Sequence, residues 1–172
     1  RTVPDAYRAA VARTATAVLT GTESRLDAAQ RAWWDLTRQG VTGFTDRAGR
    51  RWRLSTYVEM ATRTAVNRAE IDGKHGVWAA AGHDLVQVVG SNDRCPKCRP
   101  WHARILSISG AQRGAVQVEH ATRDGVMVDV DVATVDEARL AGWNHPQCRC
   151  GTRRWLPGIT KPDRLDPTTK GY

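Results

Sequence analysis

Apolar residues recur at helical spacing twice before residue 40. Tyr7, Val11 and Val18, with Thr14 between them, share one face of a helix predicted from Val3 to Thr20; Pro4 suits its first turn and Gly21 its stop. A second helix is predicted from about Glu23 to Gln39, with Thr22 as cap, Gly40 as terminator and Leu26, Ala29, Trp33 and Leu36 facing inward. Of the adjacent indoles Trp33 and Trp34, one is expected in the core and one at its margin, in preference to an exposed binding patch.

The period then changes. Gly43-Phe44-Thr45-Asp46 and Arg50-Arg51-Trp52-Arg53-Leu54 flank a turn ending at Gly49, which predicts a β-hairpin. The longest helix is expected from Thr56, where Thr56 and Glu59 match a capping box, through Asp72 toward Ala81. Its inner face is read as Tyr57, Ala61, Thr64, Ala65 and Ile71, and Arg63, Asn67, Glu70 and Lys74 make a polar stripe. Asp84 to Val89 reads as a short buried strand, and Arg104 to Ser109 as another. Val116–His120 and Val126–Val132 flank Asp124-Gly125, a dipeptide suited to a type I′ hairpin turn. Thr134 and Glu137 open a short helix that ends at Gly142, and Thr152 to Leu156 returns as a strand beside the first. Helices followed by short strands make the fold class α+β: N-terminal helices and a long central helix packed on a small antiparallel sheet.

All four cysteines fall in two patches of this sheet region, Cys95-Pro96-Lys97-Cys98 and His145-Pro146-Gln147-Cys148-Arg149-Cys150. Zinc takes four tetrahedral thiolate or imidazole ligands, and a Cys-x-x-Cys turn aims two sulfurs at one ion. Structural Zn2+ held by Cys95, Cys98, Cys148 and Cys150 is therefore the leading reading, with His145 or His102 as alternates in a Cys3His set. Two disulfides, or four thiols with neither metal nor bridge, are the competing readings, since spacing does not fix connectivity. Four protein ligands close the sphere, and neither His-Glu-x-x-His nor a deaminase pattern occurs, so an enzyme is not expected. The alternative is a zinc nuclease or other hydrolase using His102, His120 or His145 with Asp93 or Glu119, or a toxin-type effector.

Charge changes the picture only in part. The net charge is +8, and only Lys74, Lys97, Lys161 and Lys170 are lysines among 26 basic residues. Arginine's planar fork suits phosphate, although an arginine-rich genome leaves the same skew with no functional meaning. Arg94, Lys97, Arg99, Arg149, Arg153 and Arg154 flank the knuckles, and Arg50 and Arg51 stand in the first hairpin; these are the candidate nucleic-acid contacts. No apolar run reaches the roughly 18 residues of a membrane span, so no membrane partner is expected, and the chain reads as made in a reducing cytoplasm, where thiols persist.

Several motifs together resemble a known family. They are Gly43-Phe44-Thr45-Asp46 with Gly49-Arg50-Arg51-Trp52, the helix start from Tyr57 to Thr64, Cys95-Pro96-Lys97-Cys98-Arg99-Pro100-Trp101 leading to Leu106-Ser107, and His145-Pro146-Gln147-Cys148-Arg149-Cys150 before Leu156-Pro157-Gly158. This combination resembles the minor capsid proteins of tailed bacteriophages: the phage minor capsid protein 2 family, related to the Mu F-like head morphogenesis proteins. The resemblance implies a virion component assembled in the host cytoplasm, lying near the portal or head interior. It further implies portal or capsid subunits as partners, packaged double-stranded DNA as another, and no small-molecule substrate. Family members often carry His where Cys150 stands and sometimes where Cys98 stands, an exchange that ligand positions permit. At His102-Ala103 this sequence departs from a pair that more often contains glycine. The division implied is a helical segment at 1–40, a zinc-stapled α+β domain at 41–158 and an extended arm at 159–172.

Overall fold

The computed structural model describes residues 3–45, 49–90 and 95–160, which separate into two compact units, Arg1–Glu70 and Ile71–Tyr172. In the first, α1 (Val3–Leu19) and α2 (Arg25–Arg38) pack together, with Ala10, Ala29, Ala32 and Leu36 joining Val41, Leu54 and Val58 in one cluster. Small alanines let the helices approach closely, and Trp33 and Tyr57 cover the margin. The two indoles divide as expected, because Trp33 packs on this cluster while Trp34 is 53% exposed. Two details differ from expectation. The cap of α2 is Ser24, whose hydroxyl accepts the Asp27 N–H, because Thr22 donates instead to the Ala17 carbonyl that ends α1. Leu26, assigned to the inner face, is 64% exposed; Ala28 and Ala32 take that face.

β1 (Gly43–Thr45) and β2 (Arg51–Arg53) form the first hairpin, pairing Phe44 with Trp52. Its turn, with Arg47, lies outside the described residues. The chain passes straight from Arg53 into α3 (Leu54–Ala80), so Thr56 sits inside the first turn and caps nothing; Glu59 pairs with Arg25 and Arg63 instead. Leu54, Val58, Thr62 and Thr64 are the buried positions of this end; Thr64 agrees with the expected inner face, whereas Tyr57 and Ala61 are only half-buried. The helix continues through Gly73 and Gly76 and ends at Gly82, whose φ of 79° reverses the chain.

The second unit holds a five-stranded sheet in the order β5-β6-β4-β3-β7. Its strands are β3 (Leu85–Val89), β4 (Ile105–Ser107), β5 (Gly114–Glu119), β6 (Met127–Thr134) and β7 (Gly151–Arg154). The sheet is mixed, not antiparallel. After β4 the chain moves to the edge as β5, and β6 returns parallel to β4 with Ile105 opposite Val132. The hairpin of β5 and β6 forms at Asp124-Gly125, but only Gly125 takes positive φ, so the turn is not type I′. The buried ring of His120 sits in the loop, with the Thr122 nitrogen 3.2 Å from Nδ1 and Arg123 Nε 3.0 Å from Nε2, and the Ala121 N–H donates to the Pro157 carbonyl.

Alternation gives the sheet two apolar faces. Leu85, Ile105, Val132 and Trp155 pack on one, with Val116, Val118, Val128 and Val130 partly buried beside them. Val86, Val88, Leu106 and Ala133 pack on the other with Ile71 of α3, Ala138 of α4 (Val135–Leu140) and Trp143. α4 opens with the expected capping box, Thr134 and Glu137 each accepting the other's N–H. Its Arg139 pairs with Asp72 of α3.

His75 of α3 is buried, with Nε2 2.9 Å from the Thr152 hydroxyl on β7. Burial holds its pKa below the usual 6.5, Arg139 lowers it further, and Asp72 opposes both. The imidazole is therefore neutral in the fold. An unfolded chain takes up the proton below about pH 6.5, so the stability His75 contributes is full above that pH and declines as pH falls toward its lowered folded value. Urea unfolding at pH 7.5 and 5.5 is expected to lose less stability on acidification in His75→Gln than in wild type. Equal losses would show that His75 carries no pH dependence.

Candidate metal centre

The pairing of β3 with β7 sets Val89 opposite Gly151, so the chain leaving β3 and the chain entering β7 lie at one end of the sheet. The first knuckle follows Val89 and the second precedes Gly151, which is why residues far apart in sequence converge there. Each knuckle is a tight turn. The Cys98 and Arg99 N–H groups donate to the Cys95 carbonyl, and the Cys148 N–H donates to the His145 carbonyl. Asn144 and Gln147 take positive φ, 56° and 69°, to make the second reversal. The first continues through a 3-10 turn, Arg99–Trp101, to His102 and to Ala103 at φ 64°. Ala103 thus stands in the left-handed region that glycine occupies without cost.

Five donors gather here in two triads that share Cys98, and His102 lies beside them. Cys95, Cys98 and His145 lie within 4.8 Å of one another, and so do Cys98, Cys148 and Cys150. The Cys98 and Cys148 sulfurs are 3.5 Å apart, His145 Nε2 is 3.0 Å from Cys95 Sγ, and His102 Nε2 is 3.3 Å from Cys150 Sγ. All four thiols are free, and 3.5 Å is far from the roughly 2.0 Å of a disulfide. It is close to the edge of about 3.8 Å that Zn–S bonds of about 2.3 Å give a tetrahedron. Thiolate and imidazole donors at this spacing fit a zinc-type ion, and among the described residues neither triad includes a carboxylate.

The electrostatics suit such an ion. Cys148 is lowered to about 5 by the hydrogen bonds from the Cys150 thiol and N–H, against the effect of burial. Burial and the adjacent Cys148 thiolate push Cys98 up to about 12, and the same thiolate and burial raise Cys150. Cys95 is lowered despite burial, because the Cys98 and Lys97 N–H groups and His145 favour its thiolate. His145 is raised although burial opposes it, by the Pro146 carbonyl and the Cys95 sulfur. Two sulfurs thus already favour the charged form that binds metal.

The packing around the donors is close. Cys98, Cys148 and Cys150 are members of the core cluster that contains Trp143, delivered by the chain reversal at Gly142 after α4. A Cβ on Gly90 would come within 2.6 Å of His102 Nε2 and 3.0 Å of Cys150 Sγ. Sequence reasoning missed Gly90, whose position directly after a strand was its only signal. It also missed Gln87, fully buried on β3, which donates to the Ala103 carbonyl and accepts from Arg153 Nε at 2.8 Å.

The basic residues divide. Lys97, Arg99 and Arg149 are exposed on the knuckles, and Arg154 is exposed with its guanidinium 3.2 Å from His83. Arg153 is turned toward Gln87, and Arg94 lies outside the described residues. Arg50 and Arg51 are exposed in the other unit, Arg50 lying 5.6 Å over the Trp52 ring. Of the residues named for hydrolysis, His120 and Glu119 serve the β5–β6 turn, and Asp93 is outside the described residues.

The sequence model of the phage minor capsid protein 2 family matches residues 1–170. No curated protein and no solved structure gives a significant match.

Proposed function

The chain belongs to the phage minor capsid protein 2 family, and from that premise we propose that it is a non-enzymatic scaffold of the phage head, stapled by one zinc ion. Family membership places it among virion proteins, and no described helix is long and apolar enough to cross a membrane. The observation that carries the staple is the convergence of two distant knuckles on shared, buried Cys98, with no carboxylate in either triad to act as a base. The residues that would hold the ion are Cys95, Cys98, Cys148 and Cys150, with His145 and His102 beside them. Bound there, zinc supplies folding free energy and no chemistry.

Portal or capsid subunits are the proposed protein partners, met by the domain at 41–158 and the arm at 159–172 that follows the helical segment at 1–40. Packaged double-stranded DNA is the proposed nucleic-acid partner. The support for DNA is the set of exposed cations Lys97, Arg99, Arg149 and Arg154 in one unit and Arg50 and Arg51 in the other. Phosphate contacts of this kind read no sequence, which suits a genome packaged whatever its sequence. With about six contacts, affinity for duplex DNA is expected to fall about 10³-fold between 50 and 200 mM salt. Fluorescence anisotropy with a labelled duplex measures this. Alanine at Lys97, Arg99 and Arg149 together should flatten the slope, and an affinity independent of salt in the wild type would remove DNA from the partners. Locating the chain in assembled particles tests the portal assignment directly.

A further inference from the structure

Arginines of the first unit are for the most part neutralised where they stand. Arg13 and Arg38 pair with Asp35, Arg25 and Arg63 with Glu59, and Arg31 with Glu23. Arg51 and Arg53 stand apart: both are exposed, and among the described residues neither is paired with a carboxylate. We infer that these two guanidiniums form a phosphate-binding face on the β1–β2 hairpin, which takes backbone phosphates of duplex DNA without reading the bases. The inference rests on the DNA reading above and deepens it, adding Arg53 to the contacts and joining it to Arg51 in one site.

Strand alternation builds the face. β2 runs exposed, half-buried, exposed over Arg51, Trp52 and Arg53. Trp52 is the inward residue: its ring meets Tyr57 in a T-shaped contact with centroids 6.1 Å apart, and Tyr57 packs on the core of the unit. The period of two then sets Arg51 and Arg53 together on the outer side, about 6.6 Å apart along the strand. Across the ladder stand Thr45, opposite Arg51, and Gly43, opposite Arg53. Gly43 has no side chain to cover its neighbour, and a Cβ there would come within 2.9 Å of the Trp52 carbonyl, so the backbone itself keeps this place open. These four residues, with Thr42 and Trp52, line an open cavity of about 590 Å³.

The lining suits phosphate. Two guanidinium forks supply charge-assisted hydrogen bonds, Thr42 and Thr45 supply hydroxyls, and no carboxylate lines the cavity to compete. Guarding the edge of a short hairpin needs only a charge of either sign. Two unpaired charges of one sign on one face instead concentrate positive potential at a single place. The lining holds no Asn, Gln, Asp or Glu to read adenine or cytosine, although arginine alone can read guanine. The test therefore varies sequence as well as charge.

Fluorescence anisotropy of the full chain is measured against two labelled duplexes of equal length, one rich in G·C and one of A·T only, across a range of salt. Each phosphate neutralised contributes about 0.9 to the slope of log affinity against log salt. Arg51→Gln with Arg53→Gln is expected to lower the slope by about 1.8 on both duplexes. Arg31→Gln with Arg38→Gln removes the same charge from neutralised positions and should leave the slope nearly unchanged. Arg51→Lys with Arg53→Lys should keep it, which guards against a hairpin damaged by substitution. Equal losses in the two Gln pairs would mean diffuse charge and overturn the site, as would a loss confined to the G·C-rich duplex. Unchanged binding in Arg51→Gln with Arg53→Gln, while the wild type still responds to salt, would overturn the inference and leave the DNA reading standing. A wild type whose affinity ignores salt would remove the DNA reading itself, a distinct result.

Discussion

Replacing Cys98 with serine is expected to lower the melting temperature by about 15 °C or more and to abolish metal retention. Cys98 is the one donor common to both triads, and it is 1% exposed. Serine offers a poor zinc ligand, so the change removes a vertex that no neighbouring sulfur can replace without repacking the core. Structural zinc contributes about 10 to 16 kcal/mol in small zinc peptides. Here the sheet also has a hydrophobic core, so the expected loss is a fraction of that, about 4 kcal/mol or more, and each kilocalorie moves the midpoint of a unit this size by roughly 4 °C. A strong chelator added to the wild type should reproduce the shift. Calorimetry on the variant and on the chelated protein is the measurement. A variant that melts with the wild type, together with a chelator that changes nothing, would mean the four thiols pack without a shared ion.

Trp143→Ala carries the second large effect, about 3 to 5 kcal/mol by urea unfolding. The indole is 1% exposed and sits in the cluster formed by Ile71, Val86, Leu106 and three of the cysteines. Removing it leaves a cavity beneath both knuckles, so weakened zinc retention should accompany the lost stability. Trp34→Ala is the control. That indole is 53% exposed, and its loss is expected to cost less than about 1 kcal/mol. If the two variants unfold alike, the core does not run through Trp143.

Much of this was legible along the chain because local rules decide it. The capping box at Thr134 and Glu137, the hairpins at β1–β2 and β5–β6, and the position of β7 beside β3 follow from caps, turns and alternation. Two of the misses were competitions between local groups for a partner. Thr22 and Ser24 both suit a helix cap, and the choice fell to Ser24 because the Ala17 carbonyl held Thr22. Asp124-Gly125 suits a type I′ turn, yet the His120 ring and the Pro157 carbonyl held the loop in another form. An all-antiparallel sheet was the simplest order, and β5 at the edge made it mixed.

At the cysteine cluster, the sequence by itself determined which side chains were available: four cysteines in two knuckles with His145 and His102 nearby, in a chain that matches the family over residues 1–170. Ligand chemistry is a property of residue type, and short turns are local, so both survive in one dimension. Only the tertiary structure decided how those donors divide. The Val89–Gly151 register brings the knuckles together, and Cys98 falls in both triads. Those are distances between strands and loops remote in sequence, set by packing across the sheet, and no spacing along the chain encodes them.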